Sequence, residues 1–247
     1  MTVTRPFASI WFDCDSTLTA IEGVDELLQF VPAALRQDIA QLTKRAMEGS
    51  LPLAEVYETR LRLLAPRREQ LTAIGELYVR RLVPDAALVV AALRHLGKVV
   101  GIVSGGLQIP VHRLAAELGI DRAHAHAVPL LFDTDGGYQD FDRTSPLWRN
   151  GGKVELMRNL PAQARPAAFV GDGVTDLETK GTVDLFVGYG GVAVRSAVQA
   201  GADAWFATPS LAPLLAIVLT ESERAALHRD ARFADLIDRS ELSQARP

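Results

Sequence analysis

Apolar residues along the chain gather into five short runs, at residues 8–12, 98–103, 167–170, 185–187 and, more weakly, 204–206. Runs this short that stay apolar at successive positions, such as Ile10-Trp11-Phe12 and Phe169-Val170, fit strands buried on both faces of a parallel sheet. Between them the spacing turns helical, at residues 85–96, 107–118, 153–160, 194–200 and 211–219. Strand and helix in alternation predict an α/β fold built on a doubly wound parallel sheet. In that architecture ligands collect at the carboxyl ends of the strands.

Residues 20–83 break the alternation. Val24, Leu27, Leu28 and residues 57–64 keep helical spacing, and Pro32, Pro52, Pro66 and Pro84 punctuate the stretch. The pattern predicts a small helical cap at residues 20–83, inserted after the first strand and covering its end. The core would then be residues 1–19 and 84–220, followed by a terminal helix and tail at 221–247. Gly23 and the Val83-Pro84 junction are the expected hinges of a cap whose opening gates the site. Apolar stretches flanking Asp135-Gly136-Gly137 predict a hairpin within residues 128–141. Thr220 and Glu223 have capping-box spacing and start the terminal helix, and fraying is expected from about Glu241.

Composition narrows the class. A chain of 247 residues with 48% hydrophobic and 23% charged positions is globular, large enough for one domain or a core with an insertion. A net charge of −4 argues against a dedicated nucleic-acid binder. The single cysteine, Cys14, allows no internal disulfide and no cysteine-built zinc site, which fits a reducing cytoplasm. Arg5 and Pro6 precede an apolar run cut by Asp13 and Asp15, unlike a signal peptide, and every apolar run is far shorter than the roughly 18 residues of a membrane span. The expectation is a soluble, cytoplasmic protein.

The chemistry sits where the strands stop. Asp13 and Asp15 directly follow the first run, and period two on extended chain puts both carboxylates on one side. Two like charges that close need a cation or a proton between them. Alone, the pair also reads as a solvated acidic turn. Ser104-Gly105-Gly106 ends the second run with a hydroxyl and two bare backbone amides, a turn that can face an anion or merely lead into a helix. Asp172 and Asp176 lie in a glycine-bordered turn after the third long run. Hard oxygen ligands there suit Mg²⁺; a helix cap would explain Asp176 but not Asp172. Lys153 opens a helix, the wrong end of the macrodipole for a cation unless it must reach an anion.

In this order, the segments Phe12-Asp13-Cys14-Asp15-Ser16-Thr17-Leu18-Thr19, Ser104-Gly105-Gly106, Gly151-Gly152-Lys153 and Gly171-Asp172-Gly173-Val174-Thr175-Asp176 resemble the four motifs of the haloacid dehalogenase superfamily. The likeness spans residues 10–191 and includes Glu22-Gly23-Val24-Asp25-Glu26-Leu27 and Thr43-Lys44-Arg45-Ala46-Met47. It implies that family's Rossmann-like core with a cap. It also implies Asp13 as nucleophile, forming an aspartyl-phosphate, and Asp15 as the acid that protonates the leaving oxygen and then activates water. Mg²⁺ would be held by the Asp13 carboxylate, the Asp15 main-chain carbonyl and Asp172. Ser104, Gly105 and Lys153 would bind phosphoryl oxygens, with Asp176 orienting Lys153.

The same resemblance implies a small phosphomonoester as substrate, O-phospho-L-serine, with no nucleic-acid or membrane partner; monomer and homodimer both stay open. Glu22 would take the amino group, Arg60 the carboxylate in a bidentate contact, Met47 would line the cavity, and Thr175 would lie near the phosphate. Glu22 and Arg60 also read as surface helix charges. Glu48, Leu53 and Leu107 depart from the family pattern, which leaves phosphothreonine, phosphohomoserine or a sugar phosphate as alternatives. A phosphoaspartate signalling module would use the same acids, hydroxyl and lysine but needs neither cap nor Asp15. A phosphotransferase to an acceptor other than water is the third class. His124 and His126 share one face of an extended segment; a zinc site would need a third ligand that is not near in sequence, so exposed histidines are expected. Cys14 should point away from the aspartates as a small buried residue.

Overall fold

The structure, a computed structural model, describes residues 3–47 and 53–242, with the backbone alone for 43–47, 53 and 242. At its centre is β1 (Ser9–Phe12), paired in parallel with β2 (Val99–Leu107) on one side and β6 (Ala167–Gly171) on the other. Six parallel strands run in the order β3-β2-β1-β6-β7-β8, completed by β3 (Ala125–Val128), β7 (Leu185–Tyr189) and β8 (Ala204–Phe206). Phe12 lies level with both Ile102 and Val170, so β1 and β6 end together at one edge of the sheet, where β2 runs on past them. Ile10, Phe12, Phe169 and Phe186 are fully buried, as both-face apolar runs require; each such side chain contributes about 1.5–3 kcal/mol of hydrophobic stabilisation.

Two strand expectations are corrected. β2 does not stop at Val103: it continues through Ser104, Gly105 and Gly106 to Leu107, with a register shift against β3 between Val103 and Leu107. The Ser104 hydroxyl accepts the Gly106 amide at 2.9 Å, so the glycines bend an irregular strand instead of ending it. β3 is a sixth strand where the apolar runs gave five. Its Ala-His-Ala-Val alternation is that of an edge strand, half covered, and His126 pairs with Val103 of β2.

Between β1 and β2 the described chain is helical: α1 (Gly23–Glu26), a 3₁₀ turn, α2 (Ala33–Met47), α3 (Leu53–Leu64) and α4 (Arg68–Arg80). The two ends of this insert are tied to each other. Ala20 donates to the Arg81 carbonyl at 2.8 Å, and Val83 to that of Leu18 at 3.0 Å. The last helix leans on the sheet layer: a β-carbon at Gly75 of α4 would come within 2.9 Å of Arg113 on α6 (Gln108–Glu117), whose guanidinium binds Glu76 at 2.6 Å.

The expected hairpin is β4 (Leu130–Phe132) and β5 (Tyr138–Phe141), closed by Asp133, whose carboxylate accepts the amides of Asp135 and Gly137, and by Gly136 at φ 79°. It touches the insert through Tyr57 against Phe141 and Arg68 over Phe132. Helices α5 (Ala86–His95), α7 (Gly152–Arg158), α8 (Val174–Leu177), α9 (Ser196–Gly201) and α10 (Pro213–Val218) complete the layers.

The terminal helix proves to be two, α11 (Glu221–His228) and α12 (Ala234–Leu242). Thr220 and Glu223 exchange both capping-box bonds, at 3.2 and 2.9 Å. Leu227, Phe233, Leu236 and Ile237 are buried, so this tail is docked. Glu241 lies in α12, and the rest of the stretch expected to fray, residues 243–247, is outside the described residues. His124 and His126 are half-buried rather than exposed: both rings lie against Trp11, at 5.9 and 6.1 Å between centroids.

Candidate functional site

Asp13 is the first residue past β1, fixed by its amide on the Val170 carbonyl at 2.9 Å. Lys153, in the first turn of α7, reaches it: Nζ lies 2.7 Å from Asp13 Oδ1 and 2.5 Å from Asp176 Oδ1. All three side chains are buried. Burial alone would discharge the amine, but Asp13 and Asp176 outweigh it and hold the Lys153 pKa above the ordinary lysine value. The cation at the wrong end of a helix is thus explained by two carboxylates. Asp176 also accepts the Gly173 amide at 2.8 Å, so one residue caps α8 and anchors the lysine.

Asp15 follows at the same strand end, past a turn in which Ser16 takes a left-handed φ of 54°, a conformation that stores about 1–3 kcal/mol of strain and is common at functional sites. The Ser16 hydroxyl, donating to Glu22 Oε1 at 2.6 Å, helps hold that turn. Asp15 Oδ1 accepts the Tyr78 hydroxyl and, at 2.8 Å, the Gly23 amide. Oδ2 lies 3.4 Å from the Ser104 hydroxyl, over Gly106, where any β-carbon would collide with it. Burial, then the charges of Glu22 and Asp13, push the Asp15 carboxyl up to about 7.

Asp172 closes the acidic edge. Its Oδ1 accepts the Thr17 hydroxyl at 3.0 Å and its Oδ2 faces the Arg195 guanidinium at 3.0 Å. Burial and the Asp13 charge raise its carboxyl to about 6, against the pull of Arg195. Arg195 Nη2 also comes within 3.8 Å of Glu22 Oε1, linking the two acids. The Glu22 carboxyl is pushed up by burial, opposed by the Ser16 hydrogen bond.

Among the described residues one group of acids offers oxygens that all lie within 4.8 Å of one another: Asp13, Asp172 and Asp176. Asp13 Oδ1 is a buried oxygen with an ion-pair contact to Lys153 but no aligned hydrogen bond. Oxygen donors only, one of them without an aligned hydrogen bond, fit a hard divalent cation. The Asp15 carboxylate lies outside this group, engaged by Tyr78 and Gly23.

The remaining expected residues distribute around this centre. Ser104 is buried beside Asp15, Gly105 borders the Leu147 carbonyl, and half-buried Thr175 lies on α8 near Gly173. Arg60 of α3 is not a surface charge: its side chain is 16% exposed and bound to Asp25 of α1. The Met47 side chain and Glu48 lie outside the described residues, as does the Leu53 side chain; Leu107 is fully buried. Cys14 is buried between the two aspartates in sequence, and burial raises its thiol pKa well above normal.

Two residues of the site carried no sequence signal. Tyr78 sits on the apolar face of α4 and reads as core; its pairing with Asp15 spans 63 positions. Arg195 stands in the loop after β7, and only its place at a strand's carboxyl end could have pointed to it.

The chain is 36% identical over 203 residues to the chloroplastic phosphoserine phosphatase of Arabidopsis thaliana, covering 81% of this chain and 68% of that one. It is 33% identical over 202 residues to phosphoserine phosphatase of Mus musculus, 81% and 88% of the two chains. A solved structure described as a phospho-aspartyl intermediate analogue of phosphoserine phosphatase superposes with a TM-score of 0.69 at 25% identity, covering 87% of this chain and all of that one. The model of the haloacid dehalogenase-like hydrolases matches residues 10–179. With its strand-end acids and lysine brought together on a parallel sheet, the chain belongs to the haloacid dehalogenase-like hydrolase family.

Proposed function

We propose that this chain is a Mg²⁺-dependent phosphatase that hydrolyses O-phospho-L-serine to L-serine and phosphate, the last step of serine biosynthesis, in the cytoplasm. One observation carries the reading: two carboxylates two residues apart have opposite surroundings. Asp13 lies against the Lys153 cation, suited to an anionic nucleophile, whereas Asp15 is buried beside the Glu22 and Asp13 charges and pushed up to about 7 against the Tyr78 and Gly23 donors, suited to carry a proton. Environments that separate paired acids in this way assign nucleophile and acid.

Asp13 attacks phosphorus as the ester P–O bond breaks, and Asp15 gives its proton to the departing serine oxygen. Asp15 then takes a proton from water as the water oxygen attacks phosphorus, releasing phosphate and restoring the Asp13 carboxylate. An anionic nucleophile approaching an anionic phosphate is opposed by about 4 kcal/mol per charge pair at contact with an effective dielectric near 20. Lys153 offsets part of this, kept in place by Asp176. Mg²⁺, held by Asp13, Asp172 and the Asp15 carbonyl, would supply further positive charge to the transferring group. Ser104 and Gly105 bind phosphoryl oxygens with Lys153, Thr175 lies beside them, and Met47 lines the cavity. Glu22 takes the amino group and Arg60 the carboxylate. Residues 20–83 form the cap over a core of 1–19 and 84–220. The relatives named phosphoserine phosphatase support the substrate.

The test is phosphate release from L-phosphoserine and a panel of small phosphomonoesters, with Mg²⁺ or EDTA, for wild type and Asp13→Asn. Selective Mg²⁺-dependent release, lost in the variant, is expected. Preference for another ester would overturn the substrate, and no release from any ester would overturn the hydrolytic reading.

A further inference from the structure

Four buried polar side-chain atoms have no hydrogen-bond partner among the described residues: Asp13 Oδ1, Arg60 Nε, the Tyr57 hydroxyl and Trp148 Nε1. Folded proteins carry few such atoms, because each forfeits its water bonds without replacement. Asp13 Oδ1 faces the Lys153 ammonium at 2.7 Å and belongs to the reacting centre, so it is set aside. Tyr57 and Arg60 are three positions apart on α3, and so share one face of that helix. The Tyr57 phenol is held above its ordinary pKa by burial first and then by the charges of Asp15 and Tyr138, with Arg60 opposing.

The ring is held in place from behind. Tyr57 meets Phe141 edge-on at 5.6 Å between centroids, and Phe141 packs in turn on Trp148 at 5.2 Å. A phenylalanine would make the same ring contacts, so packing accounts for the ring and not for the hydroxyl. Arg60 is similarly half engaged: one Nη is bound to Asp25, while Nε is left over. Two buried donors without acceptors among the described residues, on one face of a helix tied through Asp25 to the segment that carries Glu22 and Gly23, match a ligand group that only accepts and bears negative charge. A carboxylate meets that description; an ammonium, which only donates, would satisfy neither.

We infer that the Tyr57 hydroxyl donates a hydrogen bond to the substrate carboxylate beside Arg60, making Tyr57 a specificity-determining residue for an amino-acid phosphate over a phosphate ester that lacks the carboxylate. The inference rests on the reading of the site as one for phosphoserine. It gives Tyr57 a role that burial and packing alone would not demand.

The experiment compares kcat/KM for O-phospho-L-serine and O-phosphoethanolamine in wild type and Tyr57→Phe, with Mg²⁺, alongside thermal melting of both free proteins. The expected result is a fall in the phosphoserine-to-phosphoethanolamine ratio of about tenfold, carried by KM, since a hydrogen bond to a charged group is lost. The melting temperature of the variant should equal or exceed that of wild type, because the deleted hydroxyl has no partner among the described residues. A ratio unchanged by the substitution, in a wild type that prefers phosphoserine, overturns this inference alone. A drop of several degrees in melting also overturns it, since the hydroxyl would then be bonded without ligand. A wild type inactive on phosphoserine overturns the functional reading and this inference together.

Discussion

The Tyr78 hydroxyl on α4 donates to Asp15 Oδ1 at the end of β1, and the space it fills is the one a β-carbon on Gly23 would need. The insert thus touches the sheet-end carboxylate through a side chain and a backbone amide together. Tyr78→Phe removes one donor from a buried carboxylate. It should lower stability by about 1–3 kcal/mol and kcat by about ten- to a hundredfold, part of the ~10²–10⁴ that acid–base catalysis contributes. Urea unfolding and steady-state kinetics check both, and a variant with wild-type kcat would remove Tyr78 from the catalytic arrangement.

Gly106 is the counterpart on the strand side. An alanine β-carbon would collide with Asp15 Oδ2 and lie 3.0 Å from the Ser104 hydroxyl, so Gly106→Ala must displace one of them. Misplacing a reacting group by about 1 Å costs roughly a hundredfold in rate. The expected outcome is a folded protein, by circular dichroism, whose phosphate release is slower by about that factor. Retained activity would mean that Asp15 can shift without consequence.

Lys153 is the sole cation that the structure sets between Asp13 and Asp176, among the described residues. Lys153→Met leaves two buried carboxylates facing each other, and breaking a buried pair in this way destabilises by about 3–5 kcal/mol. Adding Asp176→Asn removes one of the stranded charges and should restore part of the loss. Denaturant midpoints of the single and double variants measure this; a single variant as stable as wild type would contradict the pairing.

His126 gives a pH dependence away from the acidic site. Burial first, then the nearby His124 and His112, hold its pKa below the ordinary 6.5. The neutral ring is the folded form, so below about pH 6.5 the unfolded chain binds a proton that the folded chain does not. The stabilisation is therefore complete above that value and is lost as pH falls beneath it. His126→Gln should narrow the drop in melting temperature between about pH 7 and about pH 5. An undiminished drop would place the acid sensitivity elsewhere.

The sequence by itself determined the parts that are local. Asp13, Asp15, Asp172, Asp176 and Lys153 each stand within a few residues of a strand end or helix start, where run length, glycines and polarity mark the turn. The hairpin around Asp135-Gly136 and the Thr220–Glu223 cap were legible for the same reason: each interaction closes within five residues. What only the tertiary structure decided are the partners. Hydrophobic periodicity says which face of α4 is buried, not that Tyr78 meets Asp15; charge says that Arg195 is cationic, not that it meets Asp172; and the resemblance gives Arg60 a ligand role, not its bond to Asp25. β3 escaped because an edge strand covered on one side alternates, and its pairing with β2 joins residues over twenty positions apart. A pattern along the chain reports a residue's own environment, whereas a pairing depends on where the sheet brings two distant segments, and only folding supplies that distance.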